Sequence, residues 1–299
     1  MRPLPLLLLA LGLGVAACKP TAPADAPRPA DSLAADAAPD SATTRVVTLG
    51  AAVTETAFAL GAGDAVVAVD QSSLYPEAAR MRPQVGYFRV LGAEALLSAR
   101  PTLVLAADGS GPPPTLAQVQ AAGVTLVQAP GGARVDDVAA MIVRVADALG
   151  RVDAGKVLVD TLRAQVARAE AAAAAMPARP KAVFVQAQER GAFGLAGDST
   201  AASSLFALAG ADNAVRGFEG YRPVTAEALA AARPDVVVVT ARTAQMAGGA
   251  EALLRRPGLA GTPAAKAGRV IVLDDADLAF GPRLGEAALK LNAALRSSN

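Results

Sequence analysis

The chain has 299 residues, 53% of them hydrophobic and 18% charged, with 28 Lys and Arg against 27 Asp and Glu. That length supports full hydrophobic cores without a metal or disulfide staple, and that balance excludes a disordered chain and a polybasic nucleic-acid binder. Histidine and tryptophan are absent and aromatics make up 3%, which excludes Ser-His-Asp and Cys-His catalysis, His-ligated metal sites and rows of stacking platforms.

The chain opens on Met1-Arg2-Pro3, an apolar run from Leu4 to Ala17 broken only by Pro5, and then its single cysteine, Cys18. About 14 apolar residues are too few for a membrane-spanning helix, which needs about 20, and a positive start with small residues before a cut describes a secretory signal. Val15-Ala16-Ala17-Cys18 resembles a bacterial lipobox. That resemblance implies lipidation of Cys18; ordinary signal cleavage with Cys18 incidental is the alternative. Residues 19–43 are rich in Pro, Ala and Asp and contain one large aliphatic residue, Leu33. They lack the apolar surface to offset ordering and are expected to form a flexible tether spanning about 25–30 Å.

From Arg45 onward short apolar runs alternate with helical patterns. Strands are expected at 46–50, 65–69, 103–106 and 124–128, with helices at 54–60, 93–98, 116–122 and 135–149. A stretch from Asp153 to Met176 holds no proline and a single glycine, and its apolar residues recur at helical spacing. This predicts one helix roughly 36 Å long, at about 1.5 Å per residue. After Pro177 and Pro180 the alternation resumes, with strands at 182–186, 236–240 and 270–273 and helices at 201–209, 250–254 and 285–295.

Gly92 to Leu105 aligns without a gap on Thr225 to Val238, sharing Ala-Glu-Ala-Leu and Ala-Arg-Pro. A repeated helix, Arg-Pro turn and buried strand imply two similarly built lobes. The expected fold is therefore α/β: two Rossmann-like lobes, each a central parallel sheet flanked by helices, joined by one long rigid interlobe helix. The expected boundaries are a signal at 1–18, tether at 19–43, N-terminal lobe at 44–150, interlobe helix at 151–177 and C-terminal lobe at 178–299.

Several strings along 45–297 resemble one family. They are Arg45-Val46-Val47-Thr48-Leu49-Gly50 with Val53-Thr54-Glu55, Leu74-Tyr75-Pro76-Glu77-Ala78, Pro83-Gln84-Val85-Gly86-Tyr87, Gly217-Phe218-Glu219-Gly220-Tyr221 and Phe280-Gly281-Pro282-Arg283. The chain is similar to the periplasmic solute-binding proteins of ABC importers for vitamin B12, siderophores and haem, and within them to the haem-binding proteins. That resemblance implies a binding protein and not an enzyme: it captures ferric haem b between its lobes and hands it to an ABC permease and ATPase complex. It further implies a monomer, outside the cytoplasm, held to a membrane by its lipid anchor, with no nucleic-acid partner.

The resemblance also implies site residues. The haem-ligating tyrosine of the family falls on Tyr87, with Tyr75 as rival and Tyr221 as a third possibility. A tyrosinate is a hard anionic oxygen suited to ferric iron. Some relatives add a histidine where Gln188 stands, so the second axial position is left to Gln188, to water or to nothing. Arg242 falls where relatives carry an arginine that hydrogen-bonds the ligand tyrosine. Phe88, Phe193, Phe218 and Phe280 are possible flanking rings, and Arg89, Arg222 and Arg283 possible propionate partners. Glu94 and Glu227, one in each copy of the repeat, match glutamates that dock the vitamin B12 relative onto its permease. Alternatives are a corrinoid or ferric siderophore as cargo, a lipoprotein without small cargo, and a nucleotide-using enzyme. Gly61-Ala62-Gly63 and Gly109-Ser110-Gly111 invite the enzyme reading but complete neither G-x-G-x-x-G nor a P-loop.

Overall fold

A computed structural model describes residues 44–187 and 193–297. The signal segment with Cys18, the tether, and Gln188 lie outside these residues. The described residues open with β1 (Val46–Leu49), α1 (Ala51–Ala59), β2 (Val66–Val69), α2 (Glu77–Arg80), α3 (Ala93–Ser98), β3 (Leu103–Ala107), α4 (Pro113–Ala121), β4 (Thr125–Ala129) and α5 (Val135–Ala148). The four strands form one sheet in the order β2-β1-β3-β4, all parallel. Every residue of β1 is buried, as a strand covered by helices on both faces requires.

α4 begins three residues earlier than its apolar spacing suggests, because Pro113 and Pro114 occupy the first helical positions. There a missing N–H costs nothing and the fixed φ already suits a helix. The turn from β1 into α1 passes through Gly50 at φ +98°. A Cβ there would sit 2.6 Å from the Cβ of Ala107, so two strand ends approach only because this residue is glycine.

α6 (Val152–Ala174) follows, about 35 Å long at about 1.5 Å per residue. Its buried residues, Gly155, Val159, Leu162, Val166, Ala169 and Ala173, recur every three or four positions along one face. That face joins a cluster that also takes in Ile142 and Val145 of α5 and the apolar side of the closing helix. Each fully buried leucine in such a cluster contributes about 1.5–3 kcal/mol.

The remainder runs β5 (Lys181–Ala187), β6 (Phe193–Ala196), α7 (Ala201–Ala209), β7 (Asp212–Asn213), β8 (Tyr221–Arg222), α8 (Ala226–Ala232), β9 (Val236–Thr240), α9 (Ala241–Met246), α10 (Ala250–Leu254), α11 (Pro263–Lys266), β10 (Val270–Leu273) and α12 (Leu284–Ser297). The second sheet has the order β10-β9-β5-β6-β8, with β7 added alongside β5. The centre of this sheet is parallel, as expected, and antiparallel strands extend one edge. β10, β9 and β5 are parallel, but β6 runs antiparallel to β5 and β8 antiparallel to β6. α12 seats Gly285 on α6, where a Cβ would lie 2.5 Å from the Cβ of Gln165. Leu284, Leu291 and Leu295 then complete the shared core.

Candidate functional site

The parallel strands of both sheets end at the same place. Gly50 after β1, Gln71 after β2, Ala107 and Asp108 at the end of β3 and Pro130 after β4 line one cleft; so do Gln186 and Ala187 of β5 and Thr240 of β9. Ligands of open α/β sheets bind at the carboxyl ends of the strands. The cleft volume is about 1110 Å³. That exceeds the roughly 300–1,000 Å³ usual for drug-sized ligands and leaves room for a large one. Its walls are mainly aliphatic or small, among them Ala51, Val53, Leu74, Val138, Met141, Met246 and Leu278, with Phe88 and Phe280 as rings.

Tyr87 lines this cleft and is 44% exposed. It sits on a short turn in which the Val90 amide donates to the Tyr87 carbonyl at 2.8 Å. The turn is fastened on both sides: the Gln71 amide donates to Gly86 O at 2.9 Å, and the Gly111 amide to Phe88 O at 2.9 Å. The Phe88 ring meets Tyr87 edge-on, with centroids 5.0 Å apart, and Arg89 stacks on Phe88 at 4.8 Å. The Arg89 guanidinium reaches over Gly109, where a Cβ would stand 2.7 Å from its Nη1. Thus the Gly109-Ser110-Gly111 string has a steric task in shaping this wall.

Arg242 lines the cleft from the second half, in the first turn of α9. Its amide donates to Asp275 Oδ2 at 3.0 Å. Thr240 caps the same helix, and Thr243 Oγ1 accepts from the Ala187 amide at 3.2 Å. The segment carrying Arg242 is therefore fixed to the end of β5. Among the described residues neither the Tyr87 hydroxyl nor the Arg242 guanidinium has a hydrogen-bond partner. Both remain available to a guest.

The other tyrosines lie elsewhere. Tyr75 does not line the cleft, although Leu74 does. Its ring carries the Arg283 guanidinium 3.7 Å from its centroid. Tyr221 packs against Phe184 at 6.3 Å, and burial pushes its phenol up, away from ionisation, against a smaller opposing pull from the backbone of Ala202.

Two of the three possible propionate partners are also placed elsewhere. Arg222 stacks on Phe218 at 5.8 Å beside a separate groove of about 380 Å³. Arg283 is paired: its Nη2 donates to Glu55 Oε1 at 2.5 Å and to the Ala276 carbonyl at 3.2 Å, and its Nη1 to Asp277 Oδ1 at 3.4 Å. Only Arg89 faces the cleft. Of the possible flanking rings, Phe88 and Phe280 line the cleft, whereas Phe193 lies under Arg256 at 4.2 Å and Phe218 belongs to the second groove.

The Glu55–Arg283 pair is the site feature that sequence reasoning missed. The Glu55 side chain is 3% exposed and that of Arg283 18%. Burial pushes the Glu55 carboxyl up, and Arg283 pulls it back only in part. Burial works against the charged guanidinium, but the hydrogen bond and charge of Glu55, joined by Tyr75 and Asp277, outweigh it and hold Arg283 more firmly protonated. Both residues fall in strings that the family resemblance picked out, yet 228 positions separate them, beyond any local pattern.

Glu94 and Glu227 are exposed in the first turns of α3 and α8, away from the cleft. The Glu227 carboxyl is held below the usual range by its own backbone amide and the Thr225 hydroxyl. No cluster of three or more Cys, Asp or Glu suited to a metal ion occurs among the described residues.

The periplasmic binding protein family profile matches residues 46–276. Among solved structures, the periplasmic heme-binding protein BhuT in complex with two hemes is 42% identical, with a TM-score of 0.81 over 85% of this chain and 98% of that one. The periplasmic heme-binding protein RhuT from Roseiflexus sp. RS-1, in apo form, is 39% identical, with a TM-score of 0.83 over 86% of this chain and 99% of that one. The vitamin B12-binding protein of Yersinia pestis (strain Pestoides F) is 29% identical over 216 residues, 70% of this chain and 73% of that protein.

Proposed function

The chain belongs to the periplasmic binding protein family, and from that premise we propose that it captures haem in its cleft and delivers it to the permease of an ABC importer. It is a transport binding protein, not an enzyme. The observation that carries this reading is Tyr87 and Arg242 entering one 1110 Å³ cleft from opposite halves of the chain. The haem-binding proteins similar to it supply the cargo.

In this reading the Tyr87 phenolate binds ferric iron as an axial ligand. A hard anionic oxygen matches Fe(III), and Arg242, lining the same cleft, offers that oxygen a hydrogen-bond donor. The aliphatic walls exclude water from the faces of the ring, and Arg89 offers a cation to a propionate. The iron is either five-coordinate through Tyr87 or completed weakly by Gln188 or water. Cys18 carries a lipid that anchors the protein outside the cytoplasm, residues 19–43 act as its tether, and the protein works as a monomer. Glu94 and Glu227 then meet the permease, one from each half, steering encounter and fixing register.

The test is a ferric haem titration followed by absorption spectroscopy. A saturable shift with tyrosinate character, lost in Tyr87→Ala and kept in Tyr75→Ala, supports the assignment. A spectrum no different from free haem sinks it. The similarity to a vitamin B12-binding protein favours a corrinoid as the second reading, so cobalamin is titrated alongside; saturable binding of cobalamin without haem binding selects it.

A further inference from the structure

Glu55 lies on α1, in the first half of the chain, and Arg283 just before α12, in the second. Their contact is the only ion pair running directly between residues 44–150 and 178–297 among the described residues. It is not a surface contact: burial shields both side chains, and the planar guanidinium meets two carboxylates, a carbonyl and an aromatic face together. Arg283 thereby binds its own half through Asp277, which Lys290 also holds at 3.0 Å, and the other half through Glu55 and Tyr75.

Every arm of this contact ends beside the cleft. Val53, Leu74, Leu278 and Phe280 line the cavity, and each is one to three positions from Glu55, Tyr75, Asp277 or Arg283. Gly281 fits against α1, where a Cβ would lie 3.3 Å from both Ala52 Cα and Glu55 Oε2. We infer that Arg283 is a positioning residue, a clamp that ties the cleft walls of the two halves together and holds the cavity at the width its cargo meets. α6 sets the separation of the halves along one side; the clamp is a second tie, and two ties fix an angle that one hinge leaves free. Its role is preorganisation, so its loss acts mainly on the rate at which cargo leaves.

The proposal deepens the haem reading and rests on it for the cargo. The test places spin labels at Gln118→Cys on α4 and Glu251→Cys on α10, in a Cys18→Ser background, and reads the distance between the halves without haem. Haem transfer to an excess of a scavenging haem protein is timed in parallel. The double variant Glu55→Gln with Arg283→Met removes both charges together and so avoids a lone buried ion. Expected are a broadened distance distribution and haem loss about tenfold faster, with Arg283→Lys intermediate because a point charge replaces a planar fork. An unchanged distribution in the folded double variant overturns the clamp. Should the unmodified protein bind no haem while the double variant still broadens, the clamp stands and the cargo reading falls.

Discussion

Arg100 and Arg233, 133 positions apart, hold the same left-handed backbone conformation, with φ at +48° in each. Each follows a short helix and precedes a proline that leads into a buried strand. The internal repeat is therefore a repeat of backbone geometry as well as of residue type. Side chains rarely adopt this conformation, because Cβ crowds the carbonyl oxygen. Glycine carries no such strain, so Arg233→Gly should stabilise the fold by about 0.5–1 kcal/mol, and Arg100→Gly similarly. Thermal unfolding checks this; a lowered midpoint in both variants would mean that the arginine side chains outweigh the strain.

The same repeat shows what the sequence makes legible. β1 and β9 are fully buried runs rich in valine, β3 is buried up to its last residue, β5 is buried over residues 182–185, and α6 carries its buried face at helical spacing. β7 and β8 span two residues each, and β6 is four residues with one glycine. Segments that short express no period, so the antiparallel pairing of β6 and β8 and the parallel pairing of β7 with β5 had no signature. Tyr87 emerged only through family resemblance, since a tyrosine near a strand end has no distinctive local pattern. The Glu55–Arg283 contact depends on how the halves meet, which neither segment encodes alone.

Arg283→Met should be most costly near neutral pH. It strands the Glu55 carboxylate in a site where Asp277 and Glu286 add repulsion and only Lys290, on Asp277, remains nearby as a cation. Breaking a buried pair from one side costs roughly 3–5 kcal/mol. Because the Glu55 carboxyl is already shifted up in the folded state, its contribution to stability is full below the ordinary glutamate value and is lost as pH rises through the folded one. Removing Arg283 shifts it further up, so the deficit should shrink as pH falls towards 4.5. Adding Glu55→Gln should recover much of the loss at pH 7. Unfolding curves across that range test it, and a deficit independent of pH would assign the cost to packing.

Gly50→Ala should destabilise by about 1–3 kcal/mol and disturb the cleft floor. Alanine at φ +98° is strained, and its Cβ would collide with that of Ala107. The Gly50 amide is also held by the buried Asp70 carboxylate at 2.9 Å, which in turn accepts from Ser73 Oγ at 2.7 Å. Relief of the collision therefore breaks a bond to a buried charge. Chemical denaturation gives the magnitude, and an unchanged midpoint would show that the strand ends separate freely.

Arg242→Ala should weaken haem binding less than Tyr87→Ala does, by about 10–100-fold, the range typical when a group supporting a metal ligand is lost. The tyrosinate absorption band of the bound haem is read in parallel, since it reports whether the ligand itself is retained. Arg242→Lys should restore part of the affinity by charge alone. An affinity unmoved by Arg242→Ala, in a variant that still binds haem through Tyr87, would show that Arg242 supports the wall and not the ligand.

Glu94→Lys combined with Glu227→Lys should abolish haem delivery while leaving haem affinity unchanged. Both carboxylates are exposed on the first turns of equivalent helices and neither lines the cleft, so charge reversal spares the cargo site. Exposed charges act chiefly on encounter, so each single reversal should slow association with the permease and flatten its salt dependence. The double reversal turns attraction to repulsion on both halves. Haem uptake into vesicles carrying the permease and ATPase complex provides the measurement. Full uptake with the double variant would place the docking surface elsewhere, and a parallel loss of haem binding would mean that the substitutions reach the cleft through the fold.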